Sequence, residues 1–365
     1  MTTSNSNTFN VRVAVPTPLA QAAAVMAPGS WATFTCNFAS GTLNTLIDVA
    51  SVDGNHHRCT EYSDKAVWDP GRKQIYFTGG GHAAQEKTIV YDDDTNTWTD
   101  LGSPPWYSVN PGGATHGYQH NAFAGNTQYY LQFSSTTIRT RDVTSGNSNW
   151  GTLNTSGVNL GSGGAIGALE WFPTFGTGSL IIAYGNAAGL YRWNGTSWSI
   201  LGTPSMGAYH NAGVYSPIRD LMYFGGGNAS SQLYTLSKTG VITARANCPV
   251  QFGIISSVTT VDPVSGKLVL ACDDRVIRVY DPTSNTWSTD TAPPAGFWSG
   301  NIYSEGDAMG IVAAPIYDYG VTLFLTIAGP TIDPRGELTR IDSPFAIPFS
   351  AASASGISKK KPGWI

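Results

Sequence analysis

Charge is what this sequence has least of. Lys and Arg total 20 and Asp and Glu 24 in 365 residues, so charged side chains make up 12%, about half of the ~25% of an average soluble domain. The few bases form no stripe, and the formal net charge is −4, which argues against nucleic acid as a partner. No apolar run approaches the roughly 18 residues of a membrane-spanning helix. Cysteine is scarce, with four in the chain. Free thiols are therefore expected rather than a disulfide framework, although Cys248 and Cys272 could lie near each other. The first residues carry no charged start, and Pro16 and Pro18 interrupt their apolar stretch, so no secretion signal is expected.

What is plentiful is turn chemistry. Gly alone numbers 42, and hydrophobic residues reach 41%, a β-rich rather than a disordered composition. Residues 66–106 read as one complete unit. A short strand (66–68) meets a D-P-G-R turn, and a β-branched and aromatic strand (74–78) ends in Gly79, Gly80 and Gly81. A third strand (88–91) turns at D-D-D-T-N-T into a fourth opened by Trp98. Four short antiparallel strands, with glycines after the second and Trp on the fourth, resemble a kelch-type propeller blade. One blade cannot bury its own faces, so the unit should recur. It does so at 211–246, with its own Gly225-Gly226-Gly227, and at 257–289, where the turn before Trp287 nearly duplicates the one before Trp98. Degenerate copies end at Trp150 and Trp198. The period is about 45 residues. Both glycine triads are expected in backbone conformations closed to other residues.

The resemblance implies an all-β fold, a six-bladed kelch-like β-propeller in which a seventh blade is left open. Trp31, in G-S-W-A-T-F-T, looks like a fourth strand without its first three, and residues 299–329 supply three apolar segments that it would complete. Residues 331–350 or 43–51 could hold strands of the seventh blade. Such closure ties the chain ends into a ring and removes exposed sheet edges. The expected organisation is an N-terminal arm (1–30), a propeller (31–350) and a flexible basic tail (351–365).

Strand order then places residues on faces. Second-to-third loops and blade-to-blade connections emerge on one side, and all six histidines fall there: His56, His57, His82, His116, His120 and His210. The same side collects Trp106, Tyr107, Tyr118, Tyr209, Phe297 and Trp298. Exposed rings among amides and hydroxyls suit stacking on sugars, or they cap the tops of the blades. A histidine at a strand start can equally serve only to bond a neighbouring blade.

Three chemistries compete for this face. A metal held by His82, His116, His120 and His210 would lack the helix and glutamate of an H-E-x-x-H site, and Asp92–Asp94 lack the glycine and distal glutamate of a calcium loop, so no metal or cofactor is expected. A copper radical oxidase, which some kelch propellers are, would need a Tyr–Cys crosslink at Cys59 or Cys272. Several polysaccharide lyases, ulvan lyases among them, are propellers with a His and Tyr face. Similarity to them implies His116 or His120 as base, Tyr209 as acid, and Arg58, Arg275 or Asn211 clamping a uronate carboxylate. Sparse bases make a poor groove for a polyanion. The chain as a whole is similar in style to virion proteins, particularly bacteriophage tail or surface propellers. The expectation ranked first is therefore a non-catalytic module, part of a larger assembly, that docks a glycan or a partner protein through His82, His210, Asn211 and the aromatic residues.

Overall fold

The computed structural model describes residues 16–49, 57–81, 85–106, 116–133, 137–153, 167–185, 189–294, 296–298 and 306–326, together with the backbone of strand Phe345–Pro348. The chain is a β-propeller. Five blades are each built from four consecutive antiparallel strands. The first runs through Val67–Asp69, Gln74–Gly79, Lys87–Asp92 and Thr97–Gly102. The other four begin at the inner strands Asn121–Ala124, Ala168–Phe172, Asn211–Ser216 and Ser257–Val261. A further sheet orders Val312–Ile316, Val321–Leu325, Phe345–Pro348 and Ala32–Thr33 from inside outward. Its first strands start at 312 rather than 299, and its third comes from one of the two stretches named above for a seventh blade. The shift has a physical cause: inner strands are buried on both faces and read as continuous apolar runs, so their order cannot be counted from hydrophobicity.

The repeated turn is the clearest case of sequence dictating geometry. In Tyr91–Trp98 and again in Tyr280–Trp287, the chain spells Y-D-x-x-x-N-T-W. Asn96 and Asn285 take left-handed backbone (φ 52° and 57°), which Asn tolerates better than most residues. Their Oδ1 atoms accept hydrogen bonds from the Tyr91 and Tyr280 hydroxyls at 3.0 and 2.6 Å. Each Tyr ring then lies against its Trp, at 5.3 and 5.2 Å between centroids. The D-P-G-R turn is likewise an Asx turn, with Asp69 Oδ1 accepting from Gly71 N at 2.9 Å. Asp92 is consumed in the same way by Thr95.

The glycine triads differ. Gly225, Gly226 and Gly227 have φ of 144°, 62° and 102°, as expected for positions closed to other residues. Gly79 and Gly81 are outside that region; they are required because a Cβ would strike the Cys59 carbonyl and the Glu61 carboxylate. The N-terminal arm contains a helix, Pro18–Val25, with Leu19 fully buried and its N–H on Asp93 Oδ1 at 2.9 Å. Strand Asn37–Phe38 then runs parallel to Thr97–Trp98 on the outer edge of the first blade. Residues 1–15 and the tail 351–365 lie outside the described residues.

The inner strands are laced to one another across the blades. Leu169 N donates to Gln119 O at 2.9 Å, Ala66 N to Ala313 O at 2.9 Å, and Ala313 N to Asp64 O at 2.8 Å. Asp64 Oδ2 accepts from Gln119 Nε2 at 2.7 Å and from Thr259 N at 3.0 Å, so this carboxyl spans the axis to the fifth blade. Burial pushes it up to about 7, against the pull of those bonds. Lys65 Nζ donates to the Leu169 carbonyl and to Glu170 Oε2 at 3.1 Å. These groups form a polar plug with a mouth on either side.

Candidate functional site

On the side where blade-to-blade connections emerge, a ring cluster is assembled from three connections. His116 stacks on Tyr118 at 5.0 Å and 10°, and meets Tyr62 edge-on at 4.4 Å. Tyr118 in turn touches His120 at 5.3 Å and His210 at 5.2 Å. Tyr209 lies 6.3 Å from His210. Tyr62, Tyr118, Tyr209 and His210 all have left-handed backbone, with φ of 48°, 33°, 58° and 59°. Such a conformation costs a bulky residue of order 1–3 kcal/mol and concentrates where the surrounding structure over-determines the chain.

The cluster brings His116, His120, Tyr118, Tyr209 and His210 together, but it turns most of them inward. His120 is completely buried. Desolvation, aided by the Lys65 charge, pushes its imidazole down to about 3, so it is neutral and a feeble base. His116 and Tyr118 are about 95% buried. His210 Nδ1 meets Asn228 Oδ1 at 2.5 Å. His57 is buried and paired with Glu61 at 3.0 Å. Tyr209 is the exposed member, at 38%.

The expected carboxylate clamps are each engaged by their surroundings. Asn211 is fully buried; its Oδ1 accepts from Gly185 N at 2.8 Å and its Nδ2 donates to the Gly207 and Gly226 carbonyls. Asn121, in the same His-Asn-Ala tripeptide two blades earlier, is tied in this manner to Thr78 and Lys65. The asparagine thus locks an inner strand to its neighbour, because a first strand residue must satisfy connection backbone that has no ladder partner. Arg58 is buried. Arg275 is exposed on a loop of the fifth blade and held by Asp307 at 2.6 Å.

The aromatic residues expected to be exposed mostly cap the blades. Phe297 is fully buried against Trp31 and Phe324, and Trp298 packs half-buried on it at 4.9 Å. Trp106 stacks on Tyr130 at 5.7 Å beneath the Arg139 guanidinium. The reason is thermodynamic: connections that cross the tops of blades gain most by folding their rings over the cores. His82 and Tyr107 lie outside the described residues. Among the described residues, no three His, Cys, Asp or Glu side chains gather as metal ligands. The four cysteines are free and buried, with the Cys59 and Cys272 thiols pushed up to about 12 by desolvation.

Sequence reasoning missed two groups here and one whole region. Asp64 and Glu86 are buried carboxyls, the latter pushed up to about 8 by desolvation, and nothing in their local sequence marks them. The region is the opposite mouth, where a cavity of about 230 Å³ is lined by Trp68, Trp171, Tyr215 and Tyr317. A signal existed: W-D-P (68–70), W-F-P (171–173) and Y-S-P (215–217) are one aromatic-x-Pro tripeptide closing the inner strand of three blades.

No known protein family matches the chain, and no curated protein matches it. Among solved structures, it is similar to a chain of a nidogen/laminin complex, with a TM-score of 0.50 and 11% identity over 74% of this chain and 97% of that one. It is also similar to an auxiliary nutrient binding protein from Bacteroides thetaiotaomicron (TM-score 0.49, 13% identity, 80% and 73% covered). A chain of a mitotic checkpoint complex matches at TM-score 0.48 and 13% identity, over 88% and 96%. At these identities the likeness is one of fold.

Proposed function

We propose that this chain is a binding module that works without catalysis and without a cofactor, docking a partner through the connection face around Tyr209. One observation carries the reading. The groups a lyase would need are consumed by the fold: His120 is buried and neutral, Asn211 spends its amide on backbone, and Arg275 is paired. The Tyr209 side chain stands exposed beside His210, whereas the exposed Arg275 is tied to Asp307. Low charge and similarity in style to virion surface propellers support a place in a larger assembly that contacts a glycan or a protein.

The lyase reading is favoured by the strained backbone at Tyr118, Tyr209 and His210, so the test must separate the two. The full chain is incubated with a panel of acidic and neutral polysaccharides, and both retention and ultraviolet absorbance of an unsaturated uronate are followed. The expected result is no rise in absorbance, with any retention weakened in Tyr209→Ala. A rise that disappears in His116→Ala or Tyr209→Phe, by the roughly 10²–10⁴-fold of a lost acid or base, would overturn the proposal.

We further propose a ring of six blades closed by the N-terminal strand. Pairing of Ala32 with Ala346, and of the inner strand at Ala313 with Lys65, supports it. Removal of residues 1–40 is then expected to lower the melting temperature of the whole protein in one transition. An unchanged melting temperature would exclude that closure.

A further inference from the structure

The second mouth of the channel lies on the side of the first-to-second turns, away from His116, His120 and His210. Its walls are aromatic. Trp68, Trp171 and Tyr215 occupy the same place in the aromatic-x-Pro tripeptides of three blades, and Phe123 and Tyr317 complete the lining of the cavity of about 230 Å³. The rings are held from outside. Trp68 Nε1 donates to Asp318 Oδ2 at 2.8 Å, Tyr215 OH to Asp220 Oδ1 at 3.0 Å, and Tyr317 OH to the Tyr215 carbonyl at 3.0 Å. Trp171 lies parallel to Tyr129, 6.2 Å away and 3° from coplanar. The polar ends of these side chains are thus already engaged, that of Trp68 by the rim carboxylate itself, and the proline rings of the tripeptides fix the turns that carry them. Little entropy remains to be lost on binding.

Charge decides what such a cavity prefers. Among the described residues its lining contains one cation, Lys65, and two carboxylates, Glu170 and Asp318. The Lys65 ammonium is neutralised within the floor by Glu170 Oε2 and by backbone carbonyls. Asp318, exposed at the rim, accepts from Trp68 Nε1 and has no ion pair among the described residues. The floor adds the Thr259 and Thr260 hydroxyls, which are too few to partner the several hydroxyls of a sugar against walls that are otherwise mostly aromatic and proline. An anion would meet the Asp318 carboxylate. A small organic cation meets ring faces, proline methylenes and a carboxylate together.

We propose that this turn-face cavity binds a quaternary or methylated ammonium group, the cation seated among Trp68, Trp171 and Tyr215 with Asp318 at the rim. The site lies on the face opposite Tyr209 and does not depend on the docking role proposed above.

The test uses the full chain with choline and tetramethylammonium as probes, and 3,3-dimethylbutan-1-ol as the neutral isostere of choline. Binding is followed by tryptophan fluorescence and by calorimetry. Saturable binding of both cations is expected, with the isostere at least roughly tenfold weaker, as the loss of a desolvated cation–π contact implies. Trp171→Leu should abolish choline binding. Asp318→Asn, at an exposed position that leaves the fold intact, should weaken it about three- to fivefold, and Tyr209→Ala should leave it unchanged. Equal binding of the neutral isostere, absence of saturable cation binding at millimolar concentration, or choline binding indifferent to Asp318→Asn would each overturn the proposal.

Discussion

The two mouths of the central channel are built on opposite plans. On the connection face, the side chains that chemistry would favour, His116, His120 and Asn211, are folded inward and spent on ring stacking or backbone. On the turn face, residues that read locally as turn punctuation, W-D-P and its copies, hold aromatic rings around a cavity of about 230 Å³. The difference teaches that the identity of a residue type is a weak guide to a site. Connections must cross the tops of the blades, where polar groups are needed to satisfy loop backbone. Tight turns leave the inner-strand ends uncovered, so whatever rings stand there face an opening.

The largest expected effect tests the floor that separates the mouths. Glu170→Ala would strand the Lys65 ammonium, whose side chain is 6% exposed, and remove the acceptor of Tyr215 N. Loss of one partner of a buried pair costs about 3–5 kcal/mol, read as a shift in the urea midpoint. A loss under about 1 kcal/mol would mean that the floor is hydrated and the two mouths are one channel.

A second prediction sets the plug against the connection face by pH. Asp64 is raised from 3.8 to about 7, so the native state holds a proton that the unfolded chain has already released. Its contribution is full below pH 4 and is lost as pH rises through 7, by up to about 4 kcal/mol at 1.4 kcal/mol per unit. Asp64→Asn keeps an acceptor for Gln119 and Thr259 and should abolish this fall between pH 4 and 7. His120 runs the other way. Its depressed value makes stability full above pH 6.5 and lost as pH falls towards 3, so His120→Gln should remove a rise that opposes the Asp64 fall and leave a steeper loss of stability between pH 4 and 7. Identical pH profiles for the two variants would erase the distinction between plug and face.

The smallest effect concerns strain. Tyr209 is exposed with φ 58°, so Tyr209→Gly should relieve left-handed backbone and raise stability by up to about 1 kcal/mol. A loss of that size in thermal unfolding would show instead that the ring packs and that the connection face is as closed as its histidines.

Much of the blade was legible because its determinants are local. The Y-D-x-x-x-N-T-W turn closes on itself through one hydroxyl, one amide and one ring, so reading it at 91–98 sufficed to find it at 280–287. The last sheet was less legible. Its third strand, Phe345–Pro348, falls in one of two stretches that could equally serve a seventh blade, because a strand pairs with whatever edge is within reach, and edges are not written in the strand itself. Gly81 shows the same limit: its reason is the Glu61 carboxylate, twenty residues away.

Local residues suffice for the repeat, the antiparallel blade, the outer tryptophans and the placement of His116, His120 and His210 at the strand entries, because turn chemistry and strand alternation act over a few residues. Only the tertiary structure decided which groups see solvent. The burial of His120, the reach of Asp64 across the axis to Thr259 and the convergence of Trp68, Trp171 and Tyr215 all require blades far apart in the chain to meet. Desolvation and cavity shape are properties of that meeting, and no single blade carries them.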